Sequence, residues 1–181
     1  MDAIELLMHD HRMVEQLFRD YDAAASADQK RGVVDITIRE LSKHAALEEL
    51  MFYPLAKRVL PDGEKLIDQH LAEHGTAKRL LHELDGMKPD DDRMDEVFGE
   101  LRKDIQEHIG EEEGELMPKV RAEVDDLALQ ELGEALDEAK KTAPTRPHPH
   151  APDEPPALAI AAPVAAIYDR MRDRIQGRPK T

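Results

Sequence analysis

The sequence predicts an all-α protein: an antiparallel up-down four-helix bundle built from two repeated helical hairpins, with a short fifth helix and a proline-rich tail. Three observations carry this. Aromatic residues make up 3% of the 181 positions and charged residues 36%, so helix formers abound and the material for a sheet is scarce. Apolar residues recur every three or four positions through four long segments, the period of an amphipathic helix. Finally, two stretches are near copies. His44-Ala45-Ala46-Leu47-Glu48-Glu49 runs on to Pro54, and His108-Ile109-Gly110-Glu111-Glu112-Glu113 runs on to Pro118.

The first segment covers about residues 2–25, with Ile4, Leu7, His11, Val14, Phe18 and Tyr21 on one face. Ser26-Ala27-Asp28-Gln29 reads as a loop and a capping box for the second helix, about 28–58. Its inward series is Thr37, Leu41, His44, Glu48, Met51 and Leu55, and Pro54 is expected to kink or loosen its last turns. Pro61-Asp62-Gly63 breaks the chain, with Asp62 as N-cap. The third helix, about 63–85, turns Ile67, His70, His74, Ala77, Leu81 and Leu84 inward and ends at Gly86. Asp90-Asp91-Asp92 suits the positive end of a fourth helix, about 91–117. That helix presents Met94, Val97, Leu101, Ile105, His108, Glu112 and Leu116 to the core. A shorter helix, about 125–141, carries Leu127, Leu129, Leu132 and Leu136 and is expected to cap or flank the bundle.

The bundle and its flanking helix thus occupy 1–141. Residues 142–163 are crowded with proline and read as a linker, and 164–181 as a short basic helix or tail. Such a tail either docks on the acidic bundle or a partner, or stays disordered.

The formal charge of −15 argues against nucleic acid, which calls for a basic face. The chain has no cysteine, which excludes disulfides, thiolate zinc sites and iron–sulfur clusters. Its acidic beginning, Met1-Asp2-Ala3-Ile4-Glu5, lacks the pattern of a signal peptide, and no apolar run reaches membrane-spanning length. A cytoplasmic monomer that engages neither membrane nor nucleic acid is the expectation.

The duplication extends beyond the two motifs. Aligning His11 with His74 matches Ile4 with Ile67, Asp10 with Glu73, and Asp22 with Asp85. Each hairpin is then a helix with one inward His, followed by a helix with an inward His-x-x-x-Glu. His and Glu at i, i+4 leave one helix face, and here that face is the buried one. A buried carboxylate beside a buried imidazole is costly unless a charge compensates it, and a metal ion does so. Two such hairpins closing with approximate two-fold symmetry bring matching residues to a common centre. There the two Glu can bridge two metals about 3.5–4 Å apart. Imidazole and carboxylate without thiolate suit iron or manganese, and zinc is also compatible.

With these motifs, residues 1–120 resemble the hemerythrin-like, or HHE cation-binding, family, whose fold is a four-helix bundle holding a non-haem di-iron centre. Carried over by position, the resemblance implies two iron ions, oxo- or hydroxo- and carboxylate-bridged. The implied ligands are His11, His44, Glu48, His70, His74, His108 and Glu112. The oxygen-carrying members resemble this set with five His and two carboxylates, but their fourth-helix carboxylate lies five residues after the His. Here that position is Glu113, whereas the repeat and the helix face both select Glu112, as in the bacterial and sensor-type members. His70 has no counterpart in the first hairpin, where Leu7 stands. His9 and His82 lie off the core lines, and His148 and His150 fall in the linker.

The resemblance implies a small-molecule partner: O2, H2O2 or NO. Three functions compete: catalase-like decomposition of peroxide in oxidative-stress defence, reversible O2 or NO binding, and iron or redox sensing. A remote alternative is a zinc peptidase, because His70-Leu71-Ala72-Glu73-His74 matches the His-x-x-Glu-His signature.

Overall fold

The computed structural model describes residues 1–150 and 157–176. Helix α1 (Ala3–Ala23) opens with a reciprocal capping box between Asp2 and Glu5. Helix α2 (Ala27–Leu47) is capped by Ser26, whose hydroxyl accepts from the Gln29 amide. The Gln29 side chain accepts from Ala25 rather than from the cap residue, so the second half of the box is displaced by one residue.

After Leu47 the helix loosens ahead of Pro54. It widens into one π-helical turn, Glu48–Phe52, and continues as α3 (Tyr53–Val59). The Tyr53 amide donates to the Glu48 carbonyl, five residues back. Pro54 has no amide hydrogen and its ring crowds the carbonyl four residues earlier, so an extra residue in the preceding turn relieves both problems. The second hairpin repeats the device. Helix α4 (Gly63–Gly86) leads to α5 (Met94–Glu111), a π turn at Glu112–Leu116, and α6 (Met117–Glu123), with the Met117 amide donating to the Glu112 carbonyl ahead of Pro118.

Two helix starts differ from expectation. Asp62 occupies the N-cap position of α4 but makes no capping bond, because its carboxylate is held by Lys119 at 2.9 Å. Helix α5 begins at Met94 rather than near 91, since Lys88–Asp91 and Asp91–Met94 first form tight turns. The fourth segment also runs on past its proline to Glu123.

Helix α7 (Asp126–Lys140) lies along α1 and buries Leu129, Leu132 and Leu136, while Leu127 faces out at 45% exposure. The two helices approach closely at Gly133, where a methyl group would sit 2.5 Å from the Met1 carbonyl oxygen and 2.8 Å from the Asp2 carbonyl carbon. Gly133→Ala is therefore expected to destabilise the protein by about 1–3 kcal/mol, the usual cost of overpacking, as measured by urea unfolding.

Helix α8 (Ala157–Ile175) begins seven residues before the position the proline content suggested. It packs Val164, Ile167 and Met171 into the core, and Arg170 and Arg174 pair with Glu131 and Asp125 of the acidic α7 region. The middle of the expected linker, 151–156, and Arg178 and Lys180 of the expected basic end lie outside the described residues. No described helix is long and apolar enough to cross a membrane.

The apolar interior is divided. One cluster, including Phe18, Leu41, Leu84 and Phe98, fills the end of the bundle where α1, α2, α4 and α5 meet. The other, including Leu7, Leu55, Ile67 and Leu116, fills the opposite end and extends under α7 and α8. Between them lies a layer of buried His, Asp and Glu.

Candidate metal centre

The layer contains the residues the repeat singled out. His11, His44, His70, His74 and His108 are buried, and Glu48 and Glu112 are fully so. Four imidazoles turn Nε2 to one another in two pairs. His11 and His44 stand 3.1 Å apart, and His74 and His108 stand 3.2 Å apart. The carboxylates lie between the pairs. Glu48 Oε1 is 3.1 Å from His44 Nε2, and its Oε2 is 3.3 Å from His74 Nε2. Glu112 Oε2 is 3.3 Å from His11 Nε2 and 3.6 Å from His108 Nε2. Each carboxylate therefore faces both hairpins.

The outer ring nitrogens show the same symmetry. His11 Nδ1 meets Glu113 at 2.8 Å, and His74 Nδ1 meets Glu49 at 2.9 Å, so the second Glu of each motif anchors the first-helix His of the other hairpin. His108 Nδ1 meets Glu73 at 2.7 Å, while His44 Nδ1 faces Asp10 at 3.8 Å. Arg12 backs Glu113, Lys78 backs Glu49, and Lys140 of α7 backs Asp10. A carboxylate behind each imidazole fixes its orientation and raises its basicity, as in metal sites generally.

These charges perturb one another. Burial alone lowers the pKa of His44, but Glu48, Asp10 and Glu112 override it and hold it at about 10. His74 is likewise lifted against burial to about 9 by Glu48 and Glu49. Burial raises Glu48 and Asp10, yet His44 brings both below the usual carboxylate range, with His74 adding to the effect on Glu48 and Lys140 to that on Asp10. Glu73 falls to about 2, because His108 and Gln69 outweigh its partial burial.

The donor set fits a cation. Glu48 Oε1 and Oε2, Glu112 Oε2 and His44 Nδ1 are buried and make no well-formed hydrogen bond, although imidazole nitrogens crowd three of them. Buried polar atoms in that condition are rare without an ion or water to satisfy them. His11, His44, Glu48 and Glu112 can converge on one ion, and so can Glu48, His74 and His108, or His70, His108 and Glu112.

His70 is placed differently from the other four. Its Nδ1 faces Glu73 at 3.3 Å and His108 Nδ1 at 3.5 Å, and its ring stacks on Tyr53. Among the described residues no converging set contains both His70 and His74, the two ligands a peptidase motif requires. Glu73, its supposed base, is instead engaged by His108.

Sequence reasoning missed Tyr53. Its hydroxyl donates to Glu112 Oε1 at 2.8 Å and lies 3.1 Å from His74 Nε2. Burial, with Glu112 and Glu48 nearby, raises its pKa well above 10, so the phenol keeps its proton. Tyr53 lies five residues after Glu48, a spacing that faces inward only through a π turn. Met117 holds the equivalent place in the second hairpin, so the two halves of the centre differ here.

A buried layer of imidazole and carboxylate between two helical hairpins defines a cation-binding helical bundle. Residues 2–120 match the hemerythrin HHE cation-binding domain, and the chain belongs to that family. It is 26% identical over 176 residues to an uncharacterised hemerythrin-like protein of Schizosaccharomyces pombe, covering 97% of this chain and 87% of that protein. It is also similar in fold to the crystal structure of a hemerythrin HHE cation-binding domain-containing protein of Mycobacterium kansasii. That match has a TM-score of 0.66 and 24% identity, over 78% of this chain and 86% of that one.

Proposed function

We propose that the protein is a non-haem di-iron protein that binds O2 or peroxide and decomposes peroxide. The observation that carries this reading is the convergence of two imidazole pairs on two shared, fully buried carboxylates. In it, His11, His44, His74, His108, Glu48 and Glu112 would hold the irons. His70, grouped with His108 and Glu112, would add a fifth imidazole. When bound, the irons supply redox chemistry and affinity for oxygen species.

The chain's own residues supply protons and order. Tyr53 holds a proton at its phenol oxygen beside Glu112, on the side of His74, where it can donate to an incoming oxygen species. Glu49, Glu73 and Glu113 keep their imidazoles oriented throughout.

Metal analysis of protein from its own host is expected to give two irons, with near-ultraviolet charge-transfer bands. The iron-loaded protein should evolve O2 from H2O2, and Tyr53→Phe should slow this about 100-fold while keeping its iron, the scale of a positioned proton donor. A single zinc without iron, or an iron-loaded protein inert to peroxide, would count against the reading. A second reading, reversible O2 or NO binding, is favoured by the aliphatic cavity that adjoins the imidazoles. It predicts a stable, reversible O2 spectrum without turnover.

A further inference from the structure

The cavity beside the imidazoles has a chemistry of its own. It measures about 210 Å³ and reaches His44, His74 and His108 from the surface between α2, α4 and α5. Its wall is mainly aliphatic, with Leu41, Leu81, Ile105 and Ile109 on the bundle side and Ser42, Glu49 and Lys78 also contributing. Ala45, Ala46 and Ala77 stand where larger side chains would fill the space.

The chain after α7 returns to form the roof. Pro144, Arg146, Pro147 and His148 all line the cavity. Pro147 is buried, and Arg146 grips Asp85 of α4 through two bonds of 2.7 and 2.8 Å. The cations at the rim are engaged, Arg146 with Asp85 and Lys78 with Glu49 at 2.8 Å. A charged guest would have to break one of these pairs.

An apolar cavity of roughly 150 Å³ stays dry and takes up benzene or xenon. This one opens to the surface but offers more room, enough for a guest larger than a diatomic gas. We propose that it is a binding site for a small, uncharged, apolar molecule of about the size of benzene, held between the Pro144–His148 strap and the imidazoles. The site rests on the shape and lining of the cavity and not on which ion the centre holds.

The test is a benzene titration of the full chain, metal-free and zinc-loaded, followed by methyl NMR. Saturable shifts are expected at Leu41, Leu81, Ile105 and Ile109 in both forms. Ala46→Leu, at a half-buried position in the cavity wall, should weaken binding at least about tenfold by filling the space. Pro147→Gly should weaken it by opening the roof. Thermal melting of each variant confirms that it is folded, and Ala77→Leu gives an independent filling variant. Shifts that do not saturate, or affinity unchanged in folded Ala46→Leu and Ala77→Leu, would overturn the site. Unchanged affinity in Pro147→Gly would overturn the role of the strap. A metal-free chain that binds benzene but never takes up iron would sink the di-iron reading and leave this site standing.

Discussion

Stripping the cations from the protein is expected to lower its thermal midpoint by about 10–20 °C. Four buried polar atoms, on Glu48, Glu112 and His44, lack a well-formed hydrogen bond. Each such atom left uncompensated costs about 1–3 kcal/mol. In a protein of this size each kcal/mol moves the midpoint by about 2–4 °C. The lower end of that product applies, because His44 and His74 can take up protons and partly replace the ions. Calorimetry before and after chelation, with metal returned as the control, reads the effect. An unchanged midpoint would mean that the layer satisfies itself without a cation.

Glu48→Leu is expected to weaken metal binding at least about 100-fold, since the residue faces both imidazole pairs and even outer partners of metal ligands are worth 10–100-fold. Its effect on the metal-free protein is the more telling signature. His44 and His74 have folded pKa values of about 10 and about 9, raised largely by Glu48 against the downward pull of burial. A raised folded pKa contributes stability fully below the unfolded value of about 6.5, and that stability is lost as pH climbs through the folded values. The metal-free wild type should therefore weaken between about pH 6.5 and 10, leaving a buried carboxylate facing neutral rings. The variant lacks this carboxylate, and removing one partner of a buried ion pair costs about 3–5 kcal/mol while the other partner stays charged. Metal-free Glu48→Leu should therefore be weaker than the metal-free wild type near pH 6, where the imidazoles are charged, and should close that gap and exceed the wild type toward pH 10, whereas with metal it should be the weaker at every pH. Urea unfolding at three pH values decides this. A variant that is the weaker of the two at pH 10 would show that Glu48 has a purely structural partner.

Much of the centre was legible because duplication makes coincidence visible. One inward His says little, but His11 with His74, and His44-x-x-x-Glu48 with His108-x-x-x-Glu112, mark the same face at matched distances. The alignment also paired Asp10 with Glu73, and Glu49 with Glu113. These prove to be the groups standing behind the four imidazoles. What the sequence hid depends on departures from a regular helix. Tyr53 enters the centre through a π turn, which shifts the phase of everything after it, and a 3.6-residue period carried past Pro54 cannot foresee that. The strap was hidden for another reason. Proline-rich composition reports only what cannot form a core, and it does not reveal that Pro147 closes a cavity or that Arg146 finds Asp85.

The division of the apolar interior bears on how the molecule comes apart. Two separate clusters, joined across a polar layer, are two potential folding units, and the strength of that layer sets whether they melt together. With cations in place, four helices are cross-linked at mid-length, and loss of one end unseats the ligands that hold the other. Without them the ends are coupled by helix continuity and by the weaker His–carboxylate and Tyr–carboxylate bonds of the layer. The metal-loaded protein should then lose its slowest-exchanging amides in both ends in one concerted event. The metal-free protein should release them at two distinct denaturant concentrations. In this bundle a bound cation is expected to make cooperative unfolding a property of the whole chain.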